Sequence, residues 1–211
     1  MKIGVYGSAS SGSSSARAKA RQVGEYIARA GYTLITGACP GLPYEAVRGA
    51  AEQGGACLGY SPAVDLDGHR VRFHYPTEGF TRLIFIPRDY VNADVPAICK
   101  KYRNLQSVAA VDAAVIVGGG IGTMNEFTLA YAWGRPIAVL EDTGGITSGA
   151  VQALLQAIDA GLRSRVLFGS DPEDLLGRLL RIRRQESNGG DRGMRRLRTG
   201  GEGGPRPRAE S

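Results

Sequence analysis

Long apolar runs are missing from this 211-residue chain. No stretch approaches the ~20 apolar residues that a membrane-spanning helix needs. The opening residues, MKIGVYGSASS, break into glycine and serine before a secretory apolar core can form. Both absences set the expectation of a cytoplasmic protein with no membrane partner. Cysteine is scarce: Cys39, Cys57 and Cys99 are odd in number and show no CxxC spacing, so a disulfide framework is excluded and buried free thiols are expected. Histidine is scarcer still. His69 and His74 lie five apart, which sends them to opposite faces of an extended ribbon, and no metal site is expected. Neither a GxGxxG after the first apolar run nor the Gly-Lys-Ser/Thr ending of a P-loop is present.

What the chain does have is glycine, 31 residues of it, within an otherwise ordinary globular composition of 43% apolar and 22% charged residues. The net charge of +6 hints at nucleic acid until it is located. From Arg181 to the end stand nine arginines against four acids, so the first 180 residues carry about +1. Residues 185–211 are almost without apolar side chains and read as a disordered Arg/Gly-rich tail. Its arginines are the one feature through which nucleic acid could be a partner; a solubilising tail is the plainer reading. The folded domain is expected to span residues 1–184.

That body alternates strands with helices. Lys2–Tyr6, Tyr32–Thr36, Ala56–Gly59, Leu83–Ile86, Ala113–Ile116 and Pro136–Leu140 read as strands. Helices are expected at Ser13–Ala30, Pro43–Gln53, Pro96–Ala110, Met124–Trp133, Ser148–Ala160 and Pro172–Arg184. Residues 61–80 break the rhythm and read as a loop and short hairpin, with His69 and His74 as exposed ribbon residues. The pattern predicts an α/β, Rossmann-like fold: one parallel sheet with helices on both faces.

In such sheets ligands bind at the carboxyl ends of the strands, where the strand order reverses. Three strand ends are loaded with small residues: GSASSGSSS at 7–15, TGACPGLP at 36–43 and GGGIGT at 118–123. Each leads into a helix, whose N-terminus offers free N–H groups to an anion. A nucleotide held by its phosphate is the expected ligand. The candidate phosphate- and nucleotide-binding residues are Gly7, Ser8, Ser11, Gly37, Gly119, Gly120, Ile121, Gly122 and Thr123. A competing reading exists for Thr123-Met124-Asn125-Glu126, which spells a capping box with Thr123 as N-cap and Glu126 reaching back. Capping alone does not require the four glycines ahead of it, and those glycines suggest that something other than protein occupies the space.

The stretch Gly118-Gly119-Gly120-Ile121-Gly122-Thr123-Met124-Asn125-Glu126 resembles the PGGxGTxxE motif of the Lonely Guy (LOG) family, also called lysine decarboxylase-like, and of the related molybdenum-cofactor carrier proteins. Glycine stands where the family usually has proline. Cys99-Lys100-Lys101-Tyr102-Arg103-Asn104 resembles the family's MxxRK segment, with Arg103 matching and Asn104 replacing the lysine. The resemblance covers residues 1–160, including the first glycine-serine loop and Ile35-Thr36-Gly37 followed by Pro40-Gly41-Leu42.

That resemblance implies hydrolysis of a nucleoside 5′-monophosphate to free base and ribose 5-phosphate, a homodimer, and no cofactor. Glu126 would stabilise the positive charge that builds on the ribose, and Arg103 would pair with phosphate or hold the carboxylate; these two are the candidate catalytic residues. The alternative is a non-catalytic nucleotide sensor or pterin-cofactor carrier using the same loops. Lysine decarboxylation is not expected, because Lys2, Lys19, Lys100 and Lys101 sit in no recognisable pyridoxal phosphate site. The segment 61–80 has no evident counterpart in the cytokinin-activating enzymes of the family and is a candidate lid.

Overall fold

The computed structural model describes residues 1–10, 12–158 and 165–182. Each apolar run bounded by glycine or a polar turn becomes a strand. In chain order they are β1 (Lys2–Gly7), β2 (Thr33–Thr36), β3 (Cys57–Tyr60), β4 (Arg82–Ile84), β5 (Ala113–Val117), β6 (Ile137–Leu140) and β7 (Val166–Gly169). All neighbours pair in parallel, in the spatial order β4-β3-β2-β1-β5-β6-β7. The predicted Rossmann-like α/β fold is what forms, with one strand more than the sequence suggested.

The helices are α1 (Ser14–Arg29), α2 (Leu42–Glu52), α3 (Pro96–Ala109), α4 (Ile121–Ala132), α5 (Ala150–Ala157) and α6, residues 172–182. Ser13 caps α1, its hydroxyl accepting the Ala16 N–H at 3.1 Å. Successive residues of a strand face opposite ways, and β5 shows the result. Ala113, Val115 and Val117 join a core with residues of α1, α2 and α6, while Ala114 and Ile116 join a second core with residues of α3, α4 and α5. A sheet buried on both faces explains why its strands read as continuous apolar runs. Among the described residues no helix is long and apolar enough to cross a membrane. Cys39, Cys57 and Cys99 are free and buried, as the sequence suggested.

Two expectations fail. The segment 61–80 is no hairpin: it contains a π-helical turn, Gly68–Arg72. His69 in that turn is fully buried, with Nδ1 2.8 Å from the Ser61 hydroxyl and Nε2 2.9 Å from the Pro76 carbonyl. A carbonyl only accepts, so Nε2 carries the proton and the Ser61 hydroxyl donates to Nδ1. Tyr75 and Phe85 pack edge-on against the ring. The histidine is therefore a fastener in the interior; only His74 is exposed as expected. The second failure concerns α4, which starts at Ile121 with Gly120 as N-cap and no side-chain cap. Thr123 and Glu126 are thus inside the helix, and the capping-box reading is wrong. Of the other expectations, Ser11, the last residues of two predicted helices and the tail 185–211 lie outside the described residues.

Candidate functional site

Strand order reverses between β1 and β5, and there the two strands run close together. The Ser8 N–H bonds the Val117 carbonyl at 3.2 Å, and a Cβ on Gly7 would collide with that same carbonyl. Beyond the carboxyl ends of these strands lies a cavity of about 660 Å³. Gly7, Ser8, Gly37, Arg103, Gly120, Gly122, Thr123 and Glu126, eight of the residues singled out from the sequence, all line it. Gly119 and Ile121 do not. Gly119 lines a second hollow, with Ser10 and Gly12. The Ile121 side chain is 83% exposed, so its contribution is confined to its backbone N–H.

The four glycines divide by role, which the sequence could not show. Gly118 and Gly119 hold positive φ, 61° and 92°. A Cβ on Gly118 would press on the Thr143 carbonyl at 2.6 Å, and one on Gly119 would overlap the Thr123 side chain. These two serve the protein's own packing. The loop is further pinned by the Gly118 N–H on Thr143 Oγ1 at 2.9 Å and by the Ile146 N–H on the Gly119 carbonyl at 2.9 Å. Gly120 and Gly122 differ: a Cβ on either would meet nothing within 4 Å, and both open onto the cavity. Only this second pair fits the expectation of space left for a non-protein occupant. They begin α4, whose first-turn N–H groups have no intrahelical acceptor and whose dipole favours an anion.

Arg103 and Glu126 come from the adjacent helices α3 and α4, and both are buried. Nη1 of Arg103 bonds the Gly37 carbonyl, while Nε is buried with no partner among the described residues. Glu126 makes no direct ion pair among the described residues. Burial pushes its acid constant up to about 7, and Arg103, then Lys101, pull the other way. Its charge is thus held near balance at neutral pH, a property common at functional sites. The loop that receives Arg103 carries Ala38 at φ 52°, with its N–H on Thr36 Oγ1 at 3.0 Å. A left-handed non-glycine residue is strained backbone, here beside the cavity.

Sequence reasoning missed several residues of the wall. Tyr6 from β1, Cys39 from the second loop and Tyr75 from the segment 61–80 all line the cavity. Burial, with the charge of Glu126 adding to it, holds the Tyr6 hydroxyl well above the usual phenol range. Asn104, noted in the sequence only as a lost lysine, is 3% exposed and also lines the cavity. The helical spacing of Lys100 with Arg103 and Asn104, three and four residues on, is the signal that could have placed Asn104 at the cavity.

The model of the SLOG cluster4 family matches residues 1–173 of the chain. An uncharacterized protein of Archaeoglobus fulgidus is 28% identical over 141 residues, 67% of this chain and 80% of its own. Among solved structures, the molybdenum cofactor binding protein of the phototrophic bacterium Rippkaea orientalis superposes with a TM-score of 0.66 at 24% identity, covering 86% of this chain and 96% of that one. The Moco carrier protein of Chlamydomonas reinhardtii gives a TM-score of 0.61 at 26% identity, covering 88% and 98%.

Proposed function

The chain belongs to the SLOG cluster4 family, and from that premise we propose that it is a phosphoribohydrolase that cleaves the N-glycosidic bond of a nucleoside 5′-monophosphate. The observation that carries the reading is a buried carboxylate, Glu126, in the same cavity as the open first turn of α4. The 5′-phosphate binds the N–H groups at the start of α4 with the Thr123 hydroxyl, where dipole and free donors coincide. The ribose then lies toward Glu126, one helical turn further along.

As the C–N bond breaks, positive charge builds on the sugar, and a carboxylate beside it stabilises that charge. Water adds to the anomeric carbon, one of its protons passes to the departing base, and ribose 5-phosphate remains. An acid constant near neutrality suits Glu126 to taking and returning that proton. Arg103 supplies fixed positive charge for the phosphate and keeps part of the Glu126 population ionised. Preorganised charge of this kind is worth ~3–4 kcal/mol of barrier per group.

A second reading draws on the structural neighbours named for molybdenum cofactor. In it the same phosphate site holds a pterin-type cargo without cleaving it. Incubating the pure protein with a panel of nucleoside 5′-monophosphates and assaying ribose 5-phosphate tests the hydrolase. Release of sugar phosphate from one or more members supports it. Nucleotide binding without release leaves the carrier or sensor.

A further inference from the structure

We infer that Tyr75 is the platform on which the base of the bound nucleotide stacks, so that the segment 61–76 sets base preference; the inference rests on the nucleotide reading above, but not on cleavage. Tyr75 is half-buried and lines the cavity together with Glu126 and the start of α4. It also lines an outer hollow of about 440 Å³ with Tyr44 and Arg70, so protein does not close over it. Burial raises its acid constant, Arg103 pulls it down, and Cys39 and Glu126 push it up. The phenol is thus within electrostatic reach of both candidate catalytic residues. Its position is fixed by His69. The Tyr75 N–H bonds the His69 carbonyl at 3.1 Å, and the carbonyl of the next residue, Pro76, accepts from the His69 ring at 2.9 Å. That ring stands nearly perpendicular to Tyr75, 5.6 Å away. An aromatic side chain held in this way offers a large, rigid surface at little cost in conformational entropy.

Strand order says which part of a nucleotide Tyr75 meets. The phosphate site follows β5 and Tyr75 follows β3, and the order β3-β2-β1-β5 separates those strands by three spacings, ~14 Å. A ligand held by its phosphate at α4, with its sugar at Glu126, presents its base to the opposite wall. The segments after β2 and β3 give that wall Gly37, Cys39, Pro43 and Tyr75. None of these carries an amide or a carboxylate to read the edge of a base. Stacking remains, and every base has a flat face that can stack. A two-ring base covers more of the tyrosine than a one-ring base and gains more from it. Tyr75 therefore selects by ring area and leaves the edge of the base unread.

The test is calorimetric titration of the whole protein with ribose 5-phosphate, pseudouridine 5′-monophosphate and formycin 5′-monophosphate. The last two carry a one-ring and a two-ring base on a C–C bond that hydrolysis does not break, so binding is read without turnover. Wild type should bind formycin 5′-monophosphate about 5- to 100-fold more tightly than ribose 5-phosphate, the range for one base stacked on an aromatic ring. Pseudouridine 5′-monophosphate should fall between them. Tyr75→Leu keeps apolar bulk without the flat face, and should lose most of the gain from the base while binding ribose 5-phosphate as before. Tyr75→Phe keeps the face and should behave as wild type; loss of the gain there would move the role to the hydroxyl and overturn the inference. Equal binding of the three ligands by wild type overturns it even if Tyr75→Leu fails to fold. A gain that survives in folded Tyr75→Leu, or an equal loss of all three ligands, overturns it as well. If none of them binds wild type, the nucleotide reading itself fails and takes the inference with it. Stacking of these two nucleotides without turnover of ordinary ones would remove the hydrolase and leave Tyr75 in its role.

Discussion

Nη1 of Arg103 bonds the carbonyl of Gly37 so closely that a Cβ on Gly37 would overlap the guanidinium. The second loop is thus shaped around an arginine delivered from α3. Gly37→Ala should push Arg103 out of place. We expect turnover or nucleotide affinity to fall ~10²-fold, the usual result of misplacing a positioned group. The melting midpoint should drop by only a few degrees, as overpacking costs ~1–3 kcal/mol. Kinetics and a thermal melt on the same sample check both parts.

Glu126→Gln separates charge from shape. If Glu126 is the electrostatic catalyst, turnover falls ~10²–10³-fold while nucleotide binding persists. Unaltered turnover in a wild type shown to be active would end the catalytic assignment. Stability should move the opposite way. The Glu126 acid constant rises from 4.5 to about 7 on folding, so the folded chain holds a proton that the unfolded chain has lost between these values. Stability therefore falls as pH rises through that window. Glutamine removes the penalty, and the variant should melt higher than wild type at pH 8 and equally at pH 4.

Turnover of the wild type has its own pH signature. On the proposed hydrolase reading the ionised carboxylate does the work, so the rate should climb with pH to a plateau above about 7. A rate independent of pH from 5 to 8 would argue that another group carries the charge.

Gly119→Ala and Gly120→Ala should part company. Gly119 combines φ 92° with a Thr123 side chain in the way, and alanine there should cost ~2–3 kcal/mol. At Gly120 nothing stands within 4 Å of the added methyl, and stability should change by less than about 0.5 kcal/mol. Its methyl would instead enter the cavity, and phosphate affinity should fall. Denaturant titration and phosphate calorimetry distinguish the two.

His69→Ala removes the fastener of the segment 61–76 and leaves the Ser61 hydroxyl and Pro76 carbonyl without it. We expect a loss of ~2–4 kcal/mol by denaturant titration, and weaker ligand binding because Tyr75 lines the cavity. Burial lowers the His69 acid constant below 6.5. The unfolded chain then binds the extra proton first, so this contribution is present above pH 6.5 and lost as pH falls.

The strands were legible because each is a short apolar run closed by glycine or a polar turn, and a doubly covered sheet demands such runs. β7 escaped because Val166, Leu167 and Phe168 are too few to stand out between two helical patterns. The start of α4 was misplaced because Thr-x-x-Glu is the usual capping signature, while the actual cap is Gly120, a residue with no side chain to announce it. Residues 61–80 were misread for a different reason. Val71, Phe73 and Tyr75 alternate like a strand, yet the backbone winds up, with Asp65 Oδ1 accepting the Gly68 N–H at 2.9 Å and the buried His69 ring holding the turn from both sides. Tertiary bonds of that kind override local pattern. In the site, the glycines and Arg103 with Glu126 were visible as motif; Tyr6, Tyr75 and Asn104 depend on which elements the topology brings together.

A sheet whose strands all point one way has a working rim and an idle one. The turns that feed the amino ends of the strands include Gly31 before β2 and Gly54 before β3, and around each the space is open. A tag, a fluorophore or a surface tether grafted at either turn would leave the cavity facing away from the graft. Molecules immobilised by that rim would all present their open mouths to the solution, a geometry suited to a surface-bound detector for whatever ligand the cavity takes.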